Sequence, residues 1–336
     1  MYYEEDDRPI RRRRRRRRKR GGVLGWLIKL VFKLILLILL AAVALYVIPV
    51  SLFMTDDGIN VSASDALPGD KINILLLGVD RLTGSQRSDT IIIASVGYSS
   101  LTLTSVMRDT MVNIPGYGAS KVNAAYAHGG PELTLRTLNE NFGFNLTKYA
   151  VVDFAALADI INALGGVDIE ITSAEQEQIN YNMADAWVGE FSKQGYEKDE
   201  MHLLDLSFAG ADENGRITAH LDGFQALAYA RIRKLDSDYV RTSRQRRVID
   251  ASLSSLKQNW YDVPMLLELY KSAMSRIQTN MNIFELLSLG AKGIMCTDIQ
   301  QLRLPADGTF TDNGSSLANI DYEKNTAVFK EFVYGQ

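Results

Sequence analysis

Residues 71–96 read KINILLLGVDRLTGSQRSDTIIIASV. Lys71 to Leu77 is a run of Ile and Leu that stops at Gly78, and Thr90 to Val96 is a second such run. Short apolar runs bounded by Gly, Asp and Ser have the composition of buried strands. Leu101 to Val106 follows as a third, with Gly97-Tyr98-Ser99-Ser100 as the hairpin turn between them. Downstream, Leu133, Leu135 and Leu138 have helical spacing within Pro131 to Phe142, and proline suits a first helical turn. Tyr149 to Phe154 is a strand, Ala155 to Leu164 a helix stopped by Gly165-Gly166, and Val167 to Ile171 another strand. This alternation predicts an α/β (α+β) domain with a central mixed sheet flanked by helices. Residues 185–215 break the rhythm and read as a long loop, after which helices resume near Leu221, Asp238 and Val263.

The formal net charge of −3 over 336 residues conceals a polarised chain. Residues 1–20 hold eleven Lys/Arg against four Asp/Glu, and residues 21–54 add Lys29 and Lys33. The remaining 282 residues therefore carry 24 basic and 36 acidic groups, a net of −12. Between the two regions, Leu34 to Thr55 is uncharged, and about 20 apolar residues suffice to cross a bilayer as a helix. The arginine run from Arg11 to Arg18 sets the orientation, since the flank rich in Lys/Arg stays in the cytoplasm. The expected organisation is a cytoplasmic Arg-rich tail over 1–22, a transmembrane helix and its flank over 23–55, a linker over 56–69 and an extracellular domain over 70–336. A cleaved signal peptide with Val61-Ser62-Ala63 as its small-residue site is the alternative, although the apolar stretch exceeds the usual 7–15 residues. No folded basic domain or interleaved aromatics back the arginine run, so nucleic acid is not an expected partner. A single cysteine, Cys296, excludes an internal disulfide and a Cys-built zinc site.

Four segments carry candidate chemistry. Asp80 and Asp89 flank the polar loop between the first two strands, where two carboxylates can hold a hard cation such as Mg²⁺ or simply serve as turn and cap residues. Arg108-Asp109 follows the third strand and reads alone as a surface ion pair. Lys121 and Asn123 occupy a glycine-flanked loop, as a phosphate-binding charge and an orienting amide or as a helix cap. The fourth is the densest: Tyr229-Ala230-Arg231-Ile232-Arg233 and then Asp238-Tyr239-Val240-Arg241-Thr242-Ser243-Arg244-Gln245. In a helix beginning near Asp238, Arg241, Gln245, Ile249, Leu253 and Leu256 share one stripe. Arginines in a first helical turn oppose the positive end of the helix dipole unless an anion sits there, so this arrangement points either to a bound phosphate or to a solvated basic face.

In their order along the chain, Leu77-Gly78-Val79-Asp80, Arg87-Ser88-Asp89-Thr90, Arg108-Asp109-Thr110, Lys121-Val122-Asn123-Ala124-Ala125-Tyr126, Leu164-Gly165-Gly166-Val167, Ala226-Leu227-Ala228-Tyr229-Ala230-Arg231 and Arg241 with Arg244-Gln245 resemble the LytR-CpsA-Psr family of membrane-anchored cell-wall ligases. The resemblance implies an enzyme that moves a phosphorylated glycopolymer, such as wall teichoic acid or capsular polysaccharide, from a polyprenyl-pyrophosphate carrier to peptidoglycan. It implies Mg²⁺ as cofactor, with Mn²⁺ as a substitute, on Asp80 and Asp89, and Asp80, Asp89 and Arg108 as catalytic residues. Arg87, Arg108, Arg231, Arg233, Arg244 and Gln245 match positions around the pyrophosphate, with Lys121 and Arg241 as further members of that shell. A pyrophosphatase using water as acceptor needs the same residues, and members of the family have also been labelled transcriptional attenuators.

Overall fold

β1 (Ile72–Val79) alternates its faces: Leu75, Leu77 and Val79 join the main core, whereas Ile74 packs on the other side of the sheet. In the computed structural model, residues 67, 71–79, 87–97, 99–189 and 202–335 are described. The arginine run, the apolar stretch 34–55, Asp80 and the loop 81–86 lie outside them. Among the described residues no helix is long and apolar enough to cross a membrane.

The chain continues through β2 (Ser88–Val96), β3 (Ser100–Val106), a small hairpin of β4 (Met111–Ile114) and β5 (Gly118–Lys121), and α1 (Ala124–Phe142). Next come β6 (Lys148–Asp153), α2 (Phe154–Ala163), β7 (Val167–Thr172), α3 (Ser173–Gly189), β8 (Arg216–Leu221), α4 (Gly223–Ala230) and α5 (Asp238–Gln258). The last elements are α6 (Val263–Arg276), β9 (Gln278–Thr279), α7 (Ile283–Met295), β10 (Asp298–Leu304), β11 (Thr311–Asp312), β12 (Leu317–Ala318) and α8 (Tyr322–Tyr334). The main sheet has the order β10-β3-β2-β1-β6-β9 and is mixed: β1 runs parallel to β6 and β3 parallel to β10, while β2 is antiparallel to both its neighbours.

Both faces of the sheet are covered, which explains why its strands read as continuous apolar runs rather than alternating ones. On one face, α1 and α8 close the main core through Phe142, Phe144 and Phe329, with ring centroids 5.4 Å apart for Phe142–Phe144 and 4.6 Å for Phe144–Phe329. Aromatic pairs at such distances add about 0.5–1.5 kcal/mol beyond their burial. On the other face, Ile249 and Leu253 of α5 pack on Ile92, Leu101 and Leu103. This is the stripe expected from the spacing of Arg241, Gln245 and Ile249. The two-stranded β7–β8 sheet and helices α2 to α5 build an adjoining core around Tyr229. Gly223 opens α4 where a Cβ would stand 2.0 Å from the Ala158 carbonyl oxygen, so a side chain there would force α4 away from α2.

Three local readings change. The helix expected from Pro131 begins earlier, at Ala124, with a break at Gly129 and Gly130 immediately before the proline. Of the loop expected over 185–215, α3 takes the first residues, to Gly189, while 202–215 form neither helix nor strand and β8 begins at Arg216, at the expected end of the loop. The helix expected near Leu221 starts at Gly223, since Leu221 closes β8 by pairing with Val167.

Candidate functional site

The carboxyl ends of β1, β3 and β6 and the start of β2 meet at one edge of the sheet, the place where open α/β sheets bind ligands. Gly78 pairs with Thr90, and a Cβ on Gly78 would lie 2.8 Å from the Thr90 Cβ, so glycine lets the two strands close beside Asp89. Arg108 follows β3, and Arg231 and Arg233 lie on the turn between α4 and α5. Arg241 and Gln245 occupy the first turns of α5.

Asp89 organises these cations. Arg108 Nη1 donates to its Oδ1 at 2.8 Å and Arg233 Nη2 to its Oδ2 at 3.2 Å. A second carboxylate, Asp238, takes Arg241 Nη2 at 3.0 Å and faces Arg108 Nη2 at 3.8 Å. Asp109 extends the chain of charges, receiving Lys121 at 2.8 Å and facing Arg108 Nε at 3.4 Å. Burial alone would raise the Asp89 carboxyl, but Arg108, helped by Arg233 and Arg241, outweighs it and holds the group below its ordinary value of 3.8. Burial, reinforced by Arg108 and Arg233 against the pull of Asp238, pushes Arg241 down to about 10, where it remains cationic at neutral pH. Its Nε is buried with no hydrogen-bond partner among the described residues. A guanidinium donor left in that state costs free energy that an incoming anion would recover.

The depressed Asp89 value carries a pH prediction. A carboxylate with a lowered folded-state pKa contributes stability that is fully present above the unfolded value and is lost as pH falls through the folded one. The difference in thermal unfolding midpoint between the wild type and Asp89→Asn should be constant from pH 8 to about 5 and shrink below about pH 4. A difference that instead varied between pH 6 and 8 would contradict the assignment.

Asp89, Arg231, Arg233, Lys234, Arg241 and Gln245 line an open mouth of about 410 Å³. Four cations there face one carboxylate, in a part of the chain that is acidic overall. An apolar cavity of about 170 Å³ lies between the sheet and α5, walled by Leu76, Ile92, Leu157, Leu227 and Val248. Thr90, Phe154, Ala230, Arg231 and Gln245 line both spaces, so the basic mouth and the apolar cavity lie side by side. Arg231 stands at the junction, its guanidinium 4.5 Å from the centroid of the Phe154 ring.

Not every expected residue reaches this mouth. Arg244 is buried and turned onto Glu175 at 2.9 Å and Asp236 at 2.5 Å, and it lines neither space. Lys121 is held on Asp109, and Arg87 is exposed before β2. Asn123 sits at the N-cap of α1 without a side-chain capping bond, so the capping reading does not hold. The anion expected at the start of α5 is supplied in part by the protein itself, through Asp236 and Asp238. Phe154, Tyr181 and Lys234 enter the mouth without having been singled out, because no local motif marks them.

Asp80 lies outside the described residues, and no group of three or more His, Cys, Asp or Glu converges among the described ones. Mg²⁺ needs fewer, being bound through one or two carboxylates with waters and substrate phosphates as the rest of its shell. Asp89, an oxygen donor kept ionised, fits that chemistry, although both its oxygens are also engaged by arginine.

The site is an arginine-lined mouth at the edge of a mixed sheet, beside an apolar cavity. The profile of the LytR_cpsA_psr family matches residues 54–332. The chain belongs to this family. It is 31% identical over 281 residues to the regulatory protein MsrR of Staphylococcus aureus, covering 78% of this chain and 74% of that protein. It is 33% identical over 231 residues to TagU of Oceanobacillus iheyensis, a polyisoprenyl-teichoic acid–peptidoglycan teichoic acid transferase, covering 66% of this chain and 62% of the relative. Its fold is similar to that of YwtF (TagT), solved with bound octaprenyl pyrophosphate lipid, with a TM-score of 0.54, 21% identity and coverage of 83% of this chain and 96% of the other.

Proposed function

We propose that this protein transfers a phosphorylated glycopolymer from a polyprenyl-pyrophosphate carrier to peptidoglycan. The observation that carries the reading is a cation-lined mouth set directly beside an apolar cavity, with Arg231 lining both. A donor with a pyrophosphate head and an isoprenoid tail requires both environments side by side. The TagU relative, named for a transfer of this kind, supports the same reaction class.

A hydroxyl of peptidoglycan attacks the phosphorus that bears the glycopolymer. A new phosphodiester bond forms, the bond to the bridging pyrophosphate oxygen breaks, and polyprenyl phosphate leaves, its freed oxygen taking up the proton that the hydroxyl gives up. Arg231, Arg233 and Arg241 grip the phosphate oxygens and neutralise the charge that spreads over them in the transition state. Asp89 aligns Arg233, with Arg108 beside it, and these arginines keep its carboxyl below the usual range, so it serves them as an ionised partner. Mg²⁺, held by Asp89 and by the family position Asp80, would add charge stabilisation at the pyrophosphate. The reading also places residues 70–336 outside the cell, on a single-pass anchor within 23–55.

The test is full-length protein with a synthetic polyprenyl-pyrophosphate glycan, Mg²⁺ and peptidoglycan fragments, with products followed by mass spectrometry. A glycan joined to peptidoglycan by a phosphodiester, and lost on chelation of the metal, is the expected product. Free sugar phosphate alone would mean that water is the acceptor, and intact donor under all acceptors would leave binding or regulation as the function.

A further inference from the structure

α5 begins at the basic mouth and runs 21 residues to Gln258, a length of about 30 Å at 1.5 Å per residue. Its far end therefore lies at the opposite end of the sheet. Leu253 packs in one cluster with Val96 and Leu101, Val96 pairs with Ile72 at the start of β1, and Ser255 donates to the carbonyl of Leu164 just beyond α2. Exposed large apolar side chains gather at this end. Ile72, Trp260, Tyr261, Val263 and Met295 are each between 37% and 69% exposed. Trp260 and Tyr261 meet edge to face with centroids 6.3 Å apart, in the turn that leads into α6. Val263 and Leu267, four residues apart, continue the exposed apolar surface along one stripe of that helix.

Single exposed apolar residues need no explanation, but a patch led by an exposed Trp–Tyr pair does. Both side chains combine an apolar ring with a polar edge, the combination that settles at the headgroup level of a bilayer. Charge does not lead here, since Lys271 and Glu268 on the same helix neutralise each other at 2.7 Å. The position of the patch also selects the partner. The sheet begins at Ile72 on this end, and Leu67 is already buried in the main core with its carbonyl accepting from Asn145, so residues 56–66, at most about 40 Å when fully extended, join the domain to the apolar stretch 34–55. If the proposed transfer holds, a docked far end sets the mouth about 30 Å from the bilayer, with the apolar cavity beside the mouth taking part of the donor's tail.

We propose that Trp260 and Tyr261, with Val263 and Leu267, form a docking surface for a phospholipid bilayer, inserting at headgroup depth. The test uses the full chain in phosphatidylcholine nanodiscs, with Trp26 and Trp187 replaced by phenylalanine so that Trp260 is the sole tryptophan. Lipids brominated near the headgroup end of the acyl chains should lower its emission roughly twofold relative to plain lipids, and the loss should persist at high salt. Equal emission in both discs would overturn the proposal. So would a change in emission that follows protein concentration, because a second copy of the chain would then cover the patch. In the otherwise native chain, Trp260→Ser with Tyr261→Ser should lower turnover of donor in a bilayer several-fold and leave turnover in detergent micelles unchanged; equal loss in both would overturn it. Quenching without any donor turnover would uphold docking and reject the transferase reading, so the two fail separately.

Discussion

Arg231→Ala is expected to lower glycopolymer transfer by about 10²–10³-fold while the domain remains folded. Among the described residues Arg231 is the one arginine that lines both the mouth and the apolar cavity, so it stands where a pyrophosphate would meet its isoprenoid tail. Its guanidinium is laid against Phe154 rather than buried in the core, and truncation removes little packing. A donor aimed at developing charge in a partly dry site contributes about 3–4 kcal/mol to transition-state stabilisation. Arg231→Lys should restore only part of the rate, because the ammonium keeps the charge but loses the planar fork. Arg108→Ala should show a loss of similar direction by a different route. It leaves Asp89 without its 2.8 Å partner and frees negative charge beside the mouth, so affinity for inorganic pyrophosphate should fall with the rate. Steady-state kinetics and calorimetry with inorganic pyrophosphate measure both effects. Unchanged transfer in Arg231→Ala and Arg108→Ala together would sink the assignment of the mouth.

Arg244→Leu should act on stability rather than on chemistry. The Arg244 and Glu175 side chains are only 3% and 5% exposed, and they are joined at 2.9 Å. Removing one member of a buried pair strands the other charge and costs about 3–5 kcal/mol. In a domain of this size that lowers the thermal unfolding midpoint by roughly 10 °C. Arg244→Leu combined with Glu175→Leu should recover much of the loss, since no buried charge is then left unpaired. At a temperature where Arg244→Leu is still folded, affinity for inorganic pyrophosphate should stay near the wild-type value. Loss of that affinity without loss of stability would return Arg244 to the anion site.

These two arginines show where local reading stops. Arg241, Arg244 and Gln245 stand within five residues of one another, and spacing along α5 can say only that they are near one face. Glu175, 69 residues before Arg244, decides that this arginine closes a core contact while Arg241 faces the mouth. No periodicity in 173–189 announces that partner. The helix there has a weak apolar pattern, and its last residues, 185–189, read as the start of a loop. The chain after α6 carries too little motif to place α7, β10 and α8, although β10 completes the sheet beside β3 and α8 closes the main core.

The sequence by itself determined the sheet-forming runs from Ile72 to Val106, the alternation that makes the domain α/β, the stripe of α5 and the family to which the chain belongs. Those features are local or ordered along the chain, and side-chain chemistry at short range is enough to set them. Tertiary structure alone decided that Asp89 serves Arg108 and Arg233 at once, that Arg244 is spent on Glu175, and that a basic mouth adjoins an apolar cavity. Each of these joins residues far apart in sequence, and which charge a guanidinium meets depends on how strands and helices pack rather than on its neighbours in the chain.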